Sequence, residues 1–557
     1  MGLSYLGVVL GQIELARVNR TAKDSMRTQT ALLKRILRRC KKTEYGKKFD
    51  FSSIKSVSDF QKKIPLTTYH DYENYVERMI NNKEKNLMTA YHVSRYCSSS
   101  GSVGKPKVLP KTSPDLWHMQ CLGFSASVAC AYNYLKKHGL KSFPEQMGPL
   151  VMVLTGHRLD DGRMCNGAGQ VPLTYLKIIT PFFSTTPLDF LYPEHEEKID
   201  VSYFQLRFAI ENRKVSYLGS LVITLLTTMF DYLENNWQVL CDDIEKGTID
   251  ESIKVTDELR RKYEKKFKPN PKRAAELRTE FEKGFDTPIA PRIWPRLTWT
   301  YGMVGANLAI YIEKLRKSIG DVPIHNMGYA AAEGYFAVPV ELNAHDYAVV
   351  PYSVFFEFLP INAHEGTVPL TVNQVEVGKE YELIVTNFSG LYRYRMEDVV
   401  RVTGMYKNTP KIEFLYRLNL GMNIANEKTS TQMIDWAAKE ISENVGAEFE
   451  GHSFYADYST NPPHYVMLVE VSDPDAPHDA EKYAQLLDEK MKDCNEKYFK
   501  YRRWGMIGDP QVLFLKKNTY SDYRESLRNK GVVLNQIKPV TVINSDERKD
   551  FFFSHIE

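Results

Sequence analysis

Between Ser98 and Lys107 the chain reads Ser-Ser-Ser-Gly-Ser-Val-Gly-Lys-Pro-Lys, following a strand-like run Tyr91 to Cys97. Glycines let the backbone turn with positive φ and approach a ligand closely, hydroxyls and successive N–H groups donate to phosphate oxygens, and lysines add charge. The chemistry on offer is phosphate binding. It is not a Walker loop, because Gly101 and Gly104 enclose two residues instead of four and Pro106 follows Lys105 where Ser or Thr is needed. The same composition also suits a plain solvent-exposed turn, so the phosphate assignment depends on companions elsewhere in the chain.

The spacing Ser-Ser-Gly-Ser-x-Gly-x-Pro-Lys resembles the phosphate loop of adenylate-forming enzymes, which include acyl-CoA synthetases, luciferases and peptide-synthetase adenylation domains. That resemblance implies a Tyr-x-x-x-Glu segment for adenine and magnesium, and Gly328-Tyr-Ala-Ala-Ala-Glu-Gly334 supplies one. Small alanines let a flat base lie against the backbone, and a carboxylate holds a hard cation that bridges phosphates. A buried strand-to-helix corner is the alternative. The resemblance also implies an Asp that accepts both ribose hydroxyls, which Gly390-Leu-Tyr-Arg-Tyr-Arg-Met-Glu-Asp398 provides. Without it, Arg393, Arg395, Glu397 and Asp398 read as a surface ion-pair cluster.

Phe355-Phe-Glu-Phe-Leu-Pro360, the Gly390 motif, Arg401-Val-Thr-Gly404 and Asn535-Gln-Ile-Lys538 narrow the resemblance to the auxin-responsive Gretchen Hagen family of acyl acid amido synthetases. It covers nearly the whole chain, from Thr43-Glu-Tyr-Gly-Lys and Pro65-Leu-Thr-Thr-Tyr-His-Asp-Tyr onward. The family activates a carboxylic acid with ATP and Mg2+, releases pyrophosphate, and lets the amine of an amino acid attack the acyl-adenylate. By that resemblance Ser99, Ser100, Gly101, Ser102 and Lys107 surround the phosphates. Tyr329, Ala330, Ala331 and Ala332 hold adenine, Glu333 takes magnesium, Asp398 grips the ribose, and Lys538 stabilises the charge that builds between carboxylate and α-phosphate. Arg417, counted by the resemblance among the nucleotide-binding residues, and Asn419 fall at the expected hinge. Plant members have Tyr-Ala-Ser-Ser-Glu and a Gly before the ribose Asp, where this chain has Ala331, Ala332 and Glu397. The alternatives are a thioester-forming acyl-CoA synthetase and a nucleotide-binding member without turnover.

The elements that carry these residues follow from patterning. Ser353 to Leu359 and Tyr381 to Phe388 read as strands, Ala480 to Lys500 as a helix, and Tyr465 to Val471 as a strand. The expected fold is α/β, with a large N-terminal adenylation domain (1–417) of central sheets and surrounding helices, and a small mobile α+β C-terminal domain (418–557) bearing Lys538. The apolar stretches Leu116 to Tyr134 and Tyr217 to Phe230 are expected to wall the acyl pocket. Ile249 to Phe285, densely charged and broken at Pro269-Asn270-Pro271, reads as two exposed helices. Leu33, Ile36, Leu37 and Cys40 form the apolar stripe of a helix whose basic face reads as solvated, with no site.

Composition sets the frame. The 557 residues, 43% hydrophobic and 25% charged, describe a folded soluble protein rather than a fibrous or disordered one. The charge is +4, from 73 basic and 69 acidic side chains, which gives no reason to expect a nucleic-acid partner. Seven scattered cysteines without a Cys-x-x-Cys pair predict reduced thiols in the cytoplasm. No membrane span and no zinc site are expected. The expected partners are a small carboxylic acid and an amino acid or similar amine, with the protein acting as a monomer.

Overall fold

The aromatic and β-branched run Phe355–Pro360 is a strand and pairs antiparallel with Glu380–Thr386, Phe355 opposite Thr386 and Pro360 opposite Tyr381. Five more strands extend this sheet in the order Tyr394–Tyr406, Thr409–Arg417, Tyr347–Val349, Gly334–Val338 and Tyr329–Ala331. The helix Ser25–Cys40 buries Leu32, Leu33, Ile36, Leu37 and Cys40 in the same core as Phe355, Phe356 and Phe358. Its Gln29, fully buried, donates to the carbonyls of Pro351 and Val354 and accepts from the Phe356 N–H, so the strand entry carries no orphaned backbone group there.

The computed structural model describes residues 3–99, 107–139, 147–151, 157–158, 164–165, 180, 184–191, 193, 198–303, 309–326, 328–342, 344–361, 363–364, 366–418, 420–425, 427–473, 478–529 and 540–557. They pack as two units that part between Tyr416 and Arg417. The first unit holds, beside the seven-stranded sheet, four parallel strands in the order Met147–Val151, Tyr217–Val222, Trp299–Met303, Ile324–Asn326. The helices Val201–Glu211, Ile223–Lys246 and Ala309–Ile319 pack with this sheet around Leu218, Leu226, Leu233 and Leu315, the α/β arrangement that parallel strands require. The second unit is α+β: Phe449–Asp457 and His464–Val471 pair antiparallel, Gln511–Phe514 joins in parallel, and helices Thr431–Val445 and Ala480–Cys494 pack together beside them. Among the described residues no helix is long and apolar enough to cross a membrane.

Three expectations need correction. The helix from Ala480 stops at Cys494, because Asn495 turns out of helical geometry (φ −137°) and its side chain caps a second helix, Glu496–Arg503. The charged stretch after Ile249 does form helices Asp257–Glu264 and Pro271–Phe281, but the second buries one face: Ala274, Leu277 and Phe281 recur at helical spacing and are buried, while Lys272, Ala275 and Thr279 are exposed. The region from Leu116 onward is helical, yet Met119–Ala126 winds in wide π-type turns between the α-helical Ser113–His118 and Ser127–Lys137.

Candidate active site

The strands Val93–Ser99 and Lys107–Thr112 run antiparallel with Ser99 opposite Lys107, so the two ends of the Ser/Gly/Lys run leave from adjacent ladder positions. Ser100, Gly101 and Ser102 lie outside the described residues, as does the side chain of Ser99. Lys107 places its ammonium 5.9 Å from the Tyr69 ring centroid, and the Val108 N–H donates to the Tyr69 hydroxyl at 3.0 Å. Cys97 points its thiol at the Ala332 carbonyl, 3.8 Å away, which brings this hairpin to the adenine-segment candidate.

That segment is itself a hairpin, not a strand-to-helix corner. Tyr329–Ala331 pairs with Gly334–Val338, Ala331 opposite Gly334, which leaves Ala332 and Glu333 as the two-residue turn. Gly328 enters it at φ +100°, where a Cβ would collide with the Tyr335 ring and the Ala337 carbonyl. The Glu333 side chain is buried, and among the described residues no donor bonds its carboxylate. Its backbone carbonyl is held by the Asn387 amide at 2.7 Å. Asn387 also accepts from the Leu391 N–H at 3.1 Å, tying the turn to the Gly390 motif. Sequence patterning does not single out Asn387; the only signal is an Asn between a strand end and Ser-Gly, where side-chain-to-backbone bonds are common.

The Gly390 motif does two jobs. Its first half is scaffold: the Tyr392 carbonyl accepts from the Thr67 and Tyr72 hydroxyls, its N–H donates back to the Tyr72 hydroxyl, and its ring stacks on Tyr45 at 4.9 Å. Arg393 is no surface ion pair. It and Glu357 are both buried and bonded at 2.9 Å, and its remaining guanidinium N–H groups hold the carbonyls of Gln61 and Ile64. Its second half presents Asp398. Along the ladder, Arg395 lies opposite Ile384 and Val399 opposite Glu382, so two extra residues bulge out between them, with Glu397 left-handed at φ +60°. The bulge turns the buried Asp398 to the Tyr329 hydroxyl, which donates to it at 2.6 Å. Tyr329 and Asp398, 69 positions apart, thus meet in one corner.

The other candidates are dispersed or undescribed. Arg417 ends the strand Thr409–Arg417, half-buried at the boundary of the two units. Asn419 and Lys538 lie outside the described residues. The two expected acyl-pocket walls meet in an apolar cluster where Val128, Ala131 and Leu135 pack with Tyr217 and Trp299. In the parallel sheet, His325 is fully buried with neither ring nitrogen bonded, and desolvation lowers its pKa to about 3, so it is neutral. Among the described residues no three His, Cys, Asp or Glu side chains group as a metal site. A single buried carboxylate without a protein donor, Glu333, does fit magnesium, which binds through one or two carboxylates plus substrate phosphates rather than in an all-protein cage.

Comparison with known proteins gives the family. The chain matches the GH3 family N-terminal domain over residues 14–324, the central domain over 347–417 and the C-terminal domain over 430–547. It is 28% identical to an indole-3-acetic acid-amido synthetase of Arabidopsis thaliana over 92% of this chain and 88% of that one. It is 25% identical to a jasmonoyl–L-amino acid synthetase of Oryza sativa subsp. japonica over 95% and 94%. The solved GH3.15 acyl acid amido synthetase superposes with a TM-score of 0.64 at 24% identity, covering 98% of this chain and 96% of its own. The three domain matches, the first of which alone covers more than half of the chain, place it in the GH3 family, the Gretchen Hagen family of its sequence motifs.

Proposed function

We propose that this protein is an ATP-dependent acyl acid amido synthetase. The observation that carries the proposal is the Tyr329–Asp398 hydrogen bond, which joins the adenine-segment and ribose-binding candidates in one buried corner. In the first half-reaction a carboxylate oxygen of the acid attacks the α-phosphorus of ATP, and the bond to pyrophosphate breaks. In the second, an amino acid's amine attacks the acyl carbon, AMP leaves with the bonding pair, and the amine sheds its proton to solvent.

Ala330 to Ala332 line a surface on which a base can lie, Asp398 accepts the ribose hydroxyls, and Ser99 to Ser102 with Lys107 receive the phosphates. Glu333 would hold Mg2+, which supplies charge neutralisation across the phosphates. Lys538 places a positive charge where anion builds in the transition state, worth several kcal/mol in a water-excluded site. Arg417, at the break between the units, serves as the hinge. The described cysteine side chains are all free thiols, in keeping with a reducing, cytoplasmic setting, and we take the protein to act as a monomer.

ATP–pyrophosphate exchange with a panel of aryl, indolyl and aliphatic acids tests this. The expected outcome is exchange that depends on one acid class and falls by about two orders of magnitude in Lys538→Ala. Tight ATP binding with no exchange for any acid, or full exchange in the variant, overturns it. Acceptor-dependent AMP release with amino acids rather than coenzyme A then assigns the second step.

A further inference from the structure

The helices Leu3–Thr21, Ser25–Cys40 and Ser113–His118 contribute to an open cavity of about 240 Å³, whose lining includes neither Tyr329 nor Asp398. Arg17, Arg35, Tyr91, Trp117, His118 and Phe388 line it. The two guanidinium groups lie over aromatic faces, Arg17 at 3.9 Å from the Tyr352 ring centroid and Arg35 at 5.0 Å from that of Phe388. Between them sits His118, only 6% exposed, its ring 5.8 Å from Phe388. Among the described residues no group bonds its ring nitrogens. Burial and the two neighbouring guanidinium charges lower its pKa to about 3, so it offers a neutral donor and acceptor.

The charge count narrows the ligand. Glu14 sits 3.7 Å from Arg17 and also accepts from the Tyr352 hydroxyl (2.7 Å) and the Trp117 indole N–H (3.4 Å). Arg17 is thereby largely neutralised. Arg35 has no carboxylate within ion-pair distance among the described residues, which leaves about one net positive charge against three aromatic walls. A monoanion matches that charge, whereas a phosphate dianion would bring excess charge against apolar surface. A planar carboxylate also suits the fork of a guanidinium, and an aromatic body suits walls of Tyr91, Trp117 and Phe388. The volume lies somewhat below the roughly 300–1,000 Å³ of sites for drug-sized ligands, room for one ring or two fused rings.

We propose that this cavity is a second small-molecule site, which binds a planar aromatic monocarboxylate. The carboxylate pairs with Arg35 and Arg17, the ring lies between Trp117 and Phe388, and His118 contributes a hydrogen bond. The basic helix face that patterning alone leaves as solvated thus supplies a ligand-binding arginine.

Calorimetry and tryptophan fluorescence with 2-naphthoate test it on the full chain, with 2-naphthamide as the neutral analogue and inorganic phosphate as competitor. Arg35 and Trp117 are exposed, Trp117 at 52%, so Arg35→Ala and Trp117→Ala leave the fold intact. The expected result is a binding event that weakens at least tenfold in each variant and in 2-naphthamide, is not displaced by phosphate, and persists in Lys538→Ala. Acid-dependent pyrophosphate exchange in Arg35→Ala keeps its KM for the acid, which separates this site from the reacting one whatever the outcome for adenylation. Binding of 2-naphthoate to Arg35→Ala within twofold of wild type, equal binding of the amide, or displacement by phosphate overturns the proposal.

Discussion

Two glutamates of the seven-stranded sheet are buried to nearly the same degree and are treated in opposite ways. Glu357, 1% exposed, receives the Arg393 guanidinium through three contacts of 2.9–3.1 Å and the Gln61 amide at 2.9 Å. Glu333, 4% exposed, receives no donor at its carboxylate among the described residues. A carboxylate taken from water is costly unless its lone pairs are met. Glu357 is met by the protein and holds the Gly390 loop to the segment Gln61 to Ile64. Glu333 has no such donor among the described residues, which is what the magnesium role proposed for it requires. Saturation of a buried carboxylate marks scaffold, and a missing donor marks a site.

The largest effect that sharpens this contrast is on stability. Arg393→Met strands the Glu357 charge and two carbonyls, and is expected to cost about 3–5 kcal/mol, read as a lower urea midpoint. A loss under 1 kcal/mol breaks the comparison, since Glu357 would then not need its partner. Glu333→Gln should do the reverse. Its stability stays within about 1 kcal/mol of wild type while exchange falls about a hundredfold, or roughly 2.7 kcal/mol of transition-state stabilisation, and excess Mg2+ recovers part of it. Normal exchange in that variant removes Glu333 from the site.

This division explains what was legible in the sequence. The strands Phe355–Pro360 and Glu380–Thr386 announce themselves because apolar patterning is local, and the motifs of Tyr329 and Asp398 because glycine and acidic residues sit at fixed spacing. What patterning does not carry is pairing across the chain. Arg393 reads as a surface charge until Glu357, 36 positions away, is seen to bury it. Asn387 reads as a loop residue until its amide is found on the Glu333 carbonyl. Arg35 is exposed, as the basic face of its helix predicts, and its place over the Phe388 ring is a pairing that patterning does not show.

Two buried histidines extend the contrast to pH. His118 and His325 are both held neutral by desolvation, with pKa values lowered from 6.5 to about 3. The unfolded chain takes up protons near 6.5 and the folded chain does not, so their stability contribution is intact above 6.5 and is lost progressively as pH falls toward 3. At pH 5.5 each costs about 1.4 kcal/mol relative to pH 8. His118→Phe should flatten the urea-midpoint profile between pH 5 and 7 by about half of the slope the two contribute. A profile unchanged by that substitution means that His118 titrates alike in the folded and unfolded chains, so that burial does not hold it neutral.

The smallest effect concerns the two left-handed residues of the Gly390 motif, Arg393 at φ +49° and Glu397 at φ +60°. A side chain in this region costs about 1–2 kcal/mol. At Arg393 the conformation is repaid by five hydrogen bonds to Glu357, Gln61 and Ile64. Glu397 is half-buried, and its attraction to Arg395 is secondary to the bonded Arg395–Glu382 pair. Glu397→Gly relieves the strain and forfeits that screened attraction, but Gly loses more chain entropy on folding. The expected net change is within about 1 kcal/mol, with the bulge and the Tyr329–Asp398 bond unchanged, and the KM for ATP should not rise. A loss of 1 kcal/mol or more in urea unfolding would show that Glu397 is saturated like Glu357 and belongs to the scaffold half of the motif.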